Sequence, residues 1–341
     1  MKRTSRVATM GMTAAVALTL AACSNPANSS STGSAATTAA GANDELSIGF
    51  FGFAKANSFA QATWAGIQEY ANANNAKATF LDSNFDGPTQ VNQLQDAVTS
   101  KAYDVVIVQA NDGTAMVNPV KQAVAAGITV VVEFTPVGGD YSTANPQVDG
   151  TINIIDPPTV NGDGLAKMAL DACPTVTDGK CTVAYLQGFE NYPLDGARTK
   201  AAVDALQAGG ATVISNLVGG YTADSGRTAM QNLLQAHPEV NVVVGSAQAI
   251  EGAAPLAAGK KITFVGNGAS TQAYEAVQAG TWYGTYSLPE KAEGAKAAEL
   301  GLSAARGKSV PDSTVACDAL TDYHCLGTKD VLTGKTADYS D

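Results

Sequence analysis

The chain has 341 residues, 45% hydrophobic and 15% charged, with 34 glycines and a formal net charge of -11. That length supplies material for two hydrophobic cores rather than one. The negative balance, with no cluster of Lys and Arg after residue 6, excludes nucleic acid as a partner, because phosphate contacts require clustered cations.

Residues 1–22 read as a secretory leader: Lys2, Arg3 and Arg6, an apolar stretch from Val7 to Leu20 too short to span a bilayer, then small residues. The ending Leu20-Ala21-Ala22-Cys23 resembles the bacterial lipobox, which predicts lipidation of Cys23 and a membrane anchor rather than a span. Residues 23–45, rich in Ser, Ala, Thr, Asn and Gly without periodicity, form a flexible tether.

From Leu46 a strand–loop–helix unit begins and is then repeated. The apolar run Leu46 to Phe53 predicts a buried strand, and Phe59, Ala62, Ile67 and Tyr70 recur at helical spacing, so Lys55, Asn57 and Phe59 lie in a loop at a strand's carboxyl end. Further strands are expected at 78–82, 103–109, 129–134, 148–155, 181–187, 211–218, 240–245, 261–266 and 282–287, with helices filling the gaps. Runs such as YDVVIVQA and ITVVVEF lack polar alternation, which requires both sheet faces to be covered. The pattern predicts an α/β chain of parallel, doubly wound sheets with right-handed crossovers. Pro, Gly and Asp interrupt the rhythm between 136 and 163 and mark a lobe boundary.

Cys173 and Cys181 flank seven residues, as do Cys317 and Cys325, and in an exported chain two local disulfides are the economical assignment. The rival, a metal held by Cys317, His324 and Cys325, lacks a fourth ligand. Asp82-Ser83-Asn84-Phe85-Asp86-Gly87 spells the first half of an EF-hand loop, but Gln93 stands where a bidentate Glu belongs and Pro88 occupies the carbonyl position. No metal and no cofactor are expected. The chain carries no Walker A, GxSxG or HExxH motif, so an enzyme is disfavoured.

Three stretches carry a resemblance: AKANSFAQATWAGIQEYA (54–71), AMQNLLQAHPEVNVVVGSAQAIEGA (229–253) and GTWYGTYSLPEKAEGAKAAEL (280–300). Together they are similar to the type I periplasmic sugar-binding proteins, the ribose-binding and lactose-repressor core family that serves ATP-driven importers, over about residues 46–315. The resemblance implies two Rossmann-like lobes joined by crossings near 154–156, 287–289 and 315–317. The N-terminal lobe would comprise 46–153 plus 289–315, and the C-terminal lobe 154–288 plus 316–341. It implies a monomer that closes on a sugar or polyol and presents the closed form to an ABC permease with its ATPase, anchored outside the cytoplasm. A receptor for chemotaxis or sensor signalling would use the same module. A transcription repressor is disfavoured by the export signal where a helix-turn-helix would stand.

The resemblance also assigns a site. Phe59 and Tyr221 stand where the family sandwiches its ligand between rings, and Arg198 matches an arginine aimed at sugar hydroxyls from a helix start. Glu133 stands where the family carries an aspartate. Asn57, Gln109, Asn111, Asp156, Ser246, Gln248, Asn267 and Ser287 fall at strand ends or crossings, where Asn, Ser and Asp also serve as caps. Gly268, the pair Ser246-Ala247, and Ala60 depart from the family's pattern, which disfavours ribose itself and leaves a different pentose, a hexose, a polyol or a modified sugar open as ligand.

Overall fold

The computed structural model describes residues 44–341; the leader, Cys23 and most of the tether lie outside the described residues. The first sheet is opened by β1 (Leu46–Gly52), β2 (Ala76–Asp82), β3 (Val105–Val108), β4 (Thr129–Phe134) and β5 (Thr151–Ile155), with α1 (Ser58–Ala73), α2 (Gly87–Ser100) and α3 (Val117–Ala125) between the first four. The second follows α4 (Pro158–Val176): β6 (Thr182–Gln187), α5 (Pro193–Ala208), β7 (Thr212–Val218), α6 (Ala223–Ala236), β8 (Val242–Ser246), α7 (Ala247–Ala253), β9 (Thr263–Asn267), α8 (Thr271–Ala279) and β10 (Gly284–Tyr286). The chain then returns through α9 (Glu290–Ala305) and β11 (Ser313–Val315). It ends with α10 (Ala316–Leu320), β12 (Leu326–Thr328) and α11 (Lys329–Leu332).

The sheet orders are β11-β5-β4-β3-β1-β2 and β12-β10-β9-β8-β6-β7, so five strands of each sheet follow one winding. Pairing is parallel throughout except where β12 runs antiparallel to β10. This antiparallel edge departs from the expectation of purely parallel sheets. It belongs to a three-residue strand beside the Cys317–Cys325 disulfide, whose Cα atoms lie 5.5 Å apart. The Cys173–Cys181 disulfide, with Cα atoms 5.7 Å apart, ties the end of α4 to the start of β6.

The unbroken apolar runs feed two cores at once. Ile48, Phe50, Val105, Ile107 and Val131 enter one cluster, and their neighbours Phe51, Val106, Val108, Val130 and Val132 another, because successive side chains in a strand leave opposite faces. Helix α9 covers the first of these faces. It lies so close to α1 that a Cβ on Gly66 would come within 1.9 Å of the Lys291 carbonyl oxygen, and one on Gly294 within 2.0 Å of that of Thr63. The same device seats α5 on α4, where a Cβ on Gly162 would reach the Arg198 carbonyl at 2.4 Å. Helix starts are capped from the loops at the strands' carboxyl ends: Asn57 accepts from Ala60 N at 3.0 Å, Asp86 from Thr89 N at 2.7 Å and Ser246 from Ala249 N at 3.1 Å. Among the described residues no helix is long and apolar enough to cross a membrane.

Candidate functional site

Open parallel sheets bind ligands beyond the carboxyl ends of their strands. Here the ends of the two sheets meet around a cavity of about 50 Å³, room for roughly three to five waters at ~10–15 Å³ each. The first sheet contributes Phe53, Asn57 and Phe59 after β1, Phe85 after β2 and Phe134 at the end of β4. The second contributes Tyr192, Leu194 and Arg198 at the start of α5, Tyr221 after β7, Gln248 in α7 and Asn267 at the end of β9.

The rings form a continuous path between the lobes. Phe59 lies 4.7 Å from Phe134, and Phe53 6.2 Å from Phe134 and 6.1 Å from Phe85. Phe85 then meets Phe189 at 5.4 Å and stacks on Tyr221 at 6.3 Å with an interplanar angle of 11°. Offset and edge-to-face pairs of this kind contribute about 0.5–1.5 kcal/mol each beyond their buried area. Both Phe85 and Phe134 have φ of 59°, a left-handed backbone that costs a bulky residue on the order of 1–3 kcal/mol. In each case the turn directs a ring into the cavity.

One buried polar network backs the rings. Asp195 and Arg198 form an ion pair within α5, with side-chain exposures of 2% and 7%. Arg198 Nη2 donates to Tyr221 Oη at 2.7 Å, the Tyr221 hydroxyl donates to Asp195, and Asp195 also accepts from Phe189 N at 2.7 Å. Burial, reinforced by the Asp195 carboxylate and opposed by the Arg198 guanidinium, raises the Tyr221 phenol well above its ordinary pKa, so it remains a donor. The Tyr192 hydroxyl reaches across to the Phe85 carbonyl and to Asn111 Oδ1, and Gln248 Nε2 donates to Ser58 Oγ at 3.1 Å. These are direct links from the second lobe to the first.

Of the residues assigned from sequence, Asn57, Phe59, Arg198, Tyr221, Gln248 and Asn267 line the cavity. Ser246 lines only a smaller hollow of about 10 Å³ behind Arg198, Tyr221 and Asn267, and its hydroxyl donates to the Gly220 carbonyl. Gln109 is fully buried and accepts from Phe53 N at 3.1 Å, which holds the β1–α1 loop. Asp156 sits one step behind the wall: Asn161 donates to its Oδ2 at 2.9 Å and exchanges amide hydrogen bonds with Asn267 at 3.2 and 3.3 Å. Burial pushes its carboxyl up to about 6, against the pull of hydrogen bonds from Tyr286 and Asn161. Ser287 pairs with Tyr274 Oη at 2.6 Å in the second crossing.

The structure turns Glu133 away from the cavity, with no hydrogen-bond partner for either carboxylate oxygen. It precedes Phe134 on β4, so when Phe134 faces the cleft Glu133 faces α9, where Glu290 and Glu293 are equally buried and unpartnered. Asp82 and Asp86 serve the backbone, Asp82 accepting from Lys55 N and Asn84 N and Asp86 capping α2. Phe53, Phe85, Phe134, Tyr192 and Leu194 escaped the sequence reading. A phenylalanine inside an Asn- and Asp-Gly-rich turn, as at Phe85, was the signal available.

A cleft between two similarly wound α/β lobes, lined from both, is the architecture of a two-lobed ligand-binding protein. Residues 48–309 match the periplasmic binding protein domain, and the chain belongs to that family. Its fold is shared by an ABC transporter solute-binding protein from Mycobacterium smegmatis solved with bound glycerol (23% identity, TM-score 0.70, 87% of this chain and 99% of that one). It is shared too by a Caulobacter myo-inositol binding protein bound to myo-inositol (19%, 0.70, 87% and 97%) and a periplasmic ribose ABC transporter from Conexibacter woesei (23%, 0.64, 81% and 90%). No curated protein matches the chain by sequence.

Proposed function

We propose that the chain is the extracytoplasmic solute-binding component of an ABC importer, anchored through Cys23, and that it binds a sugar or polyol between its lobes without chemical conversion. The observation that carries this is a ring-lined cavity walled by both lobes, with Arg198 held by Asp195 at its edge. Rings offer flat surfaces to the C–H faces of a sugar, and Asn57, Arg198 and Gln248 offer polar atoms to its rim. The glycerol, ribose and inositol in the names of the structural neighbours point to the same ligand class. Contacts to both lobes exist together only in the closed arrangement, so ligand binding shifts an open–closed equilibrium. A monomer presenting the closed form would then engage a permease, whose ATPase supplies the energy.

A thermal-shift and calorimetric panel of pentoses, hexoses, polyols and inositols tests the reading. One member should bind, and at 100 times its dissociation constant it should stabilise the protein by about 2.7 kcal/mol. Tyr221→Ala and Arg198→Ala should each abolish that shift. A flat panel, or an unchanged response in both variants, would remove the ligand class or the site.

A further inference from the structure

The cavity wall also constrains how oxygenated the ligand is. A hydroxyl buried in a closed cleft needs an acceptor for its hydrogen, and without one it carries the full desolvation cost of a polar group. Among the described residues that line the cavity, none is a carboxylate. Arg198 can only donate. Asn57 Oδ1 already accepts from Ala60 N, and Asn267 Oδ1 from Asn161 Nδ2, so each amide oxygen has one lone pair left for a ligand. Gln248 donates to Ser58 Oγ through its amide nitrogen, so the side-chain acceptors of the cavity are the neutral oxygens of three amides and two phenols, weaker partners for a hydroxyl than a carboxylate. Glu133 and Asp156 lie behind the wall, 0% and 1% exposed. Six rings, from Phe53, Phe59, Phe85, Phe134, Tyr192 and Tyr221, cover the remaining surface.

We propose that the site selects a neutral, partly deoxygenated ring compound: a deoxy sugar or deoxy polyol whose few oxygens gather on one edge, toward Arg198, Asn57 and Gln248, while its C–H edges meet the phenylalanines. This rests on the reading of the cleft as a sugar-type site. The wall offers the hydrogen of a ligand hydroxyl only neutral acceptors on one edge and rings elsewhere, so a hydroxyl pointing away from that edge costs more than the C–H group that would replace it.

Calorimetry on the purified protein with matched pairs differing by one oxygen tests this: D-galactose against D-fucose, D-ribose against 2-deoxy-D-ribose, and myo-inositol against a monodeoxy inositol. In each pair that binds, the deoxygenated member should have a Kd at least tenfold lower. Phe134→Asn places an acceptor in the wall at a left-handed φ that asparagine adopts readily, and it should narrow or reverse that ratio. Phe85→Asn, at the same φ, serves as the second variant should the first not fold. Equal or tighter binding of the fully hydroxylated members overturns this inference and leaves the sugar reading standing. No binding by any member overturns both.

Discussion

Phe85 of one lobe lies parallel to Tyr221 of the other, 6.3 Å away, while the Phe85 carbonyl accepts the hydroxyl of Tyr192. One residue thus joins the lobes through both its ring and its backbone, from a strained turn whose neighbour Asn84 is also left-handed at φ 48°. Removing the ring should weaken closure. Phe85→Ala is expected to raise the Kd of whichever ligand binds by at least tenfold, and small-angle scattering should show a larger radius of gyration at the same ligand concentration. An unchanged Kd would mean that the ring only fills space.

The ion pair of Asp195 and Arg198 is nearly free of solvent. Taking away one partner leaves an uncompensated buried charge, so Asp195→Ala should cost about 3–5 kcal/mol of stability, read as a fall in the denaturant midpoint. A double variant, Asp195→Leu with Arg198→Met, should recover most of that stability while remaining unable to bind.

Glu133, Glu290 and Glu293 meet between β4 and α9 without hydrogen-bond partners. Burial pushes Glu133 up to about 8, and burial reinforced by neighbouring carboxylates raises Glu290 and Glu293 well above the ordinary range. In the unfolded chain these groups lose their protons near pH 4.5, while the folded protein retains them. The folded state therefore binds more protons between about pH 4.5 and 8, and stability falls as pH rises through that window, by about 1.4 kcal/mol per unit for each retained proton. Melting temperature should be higher at pH 5 than at pH 8. Glu133→Gln, which mimics the protonated acid, should flatten the slope, and a slope identical to wild type would show that Glu133 titrates normally.

The contact of α1 with α9 has no room for a methyl group at Gly66 or Gly294, because each faces a backbone carbonyl rather than a movable side chain. Gly66→Ala should destabilise by about 1–3 kcal/mol or more. Gly196→Ala, at a helical position where nothing lies within 4 Å, should be neutral or slightly stabilising and provides the control in the same melting experiment.

Much of the architecture was legible because Val- and Ile-rich strands with no polar alternation, such as Val105–Val108, leave only a sheet covered on both faces. Strands β11 and β12 carry three residues each, too few for a periodicity to register. In the site, Phe59 at the start of α1 and Tyr221 after β7 were announced by the resemblance and by their places beyond strand ends. Phe85 and Phe134 were hidden because each ring is aimed by a positive φ, which no spacing of residue types encodes. The same turn decides that Phe134 faces the cleft and its neighbour Glu133 the helix.

The return of α9 and β11 to the first sheet has a consequence for biogenesis. Val105 and Val131 are roofed by Gly301 of α9, so the β3–β4 part of that sheet face has no cover until the chain has run on from the end of β5 at Ile155 to α9 at Glu290–Ala305. The first lobe therefore cannot complete its core before the second lobe has been made. A chain interrupted anywhere before α9 would leave the first lobe without its roof, which makes the polypeptide as far as Ala305 one unit for quality control.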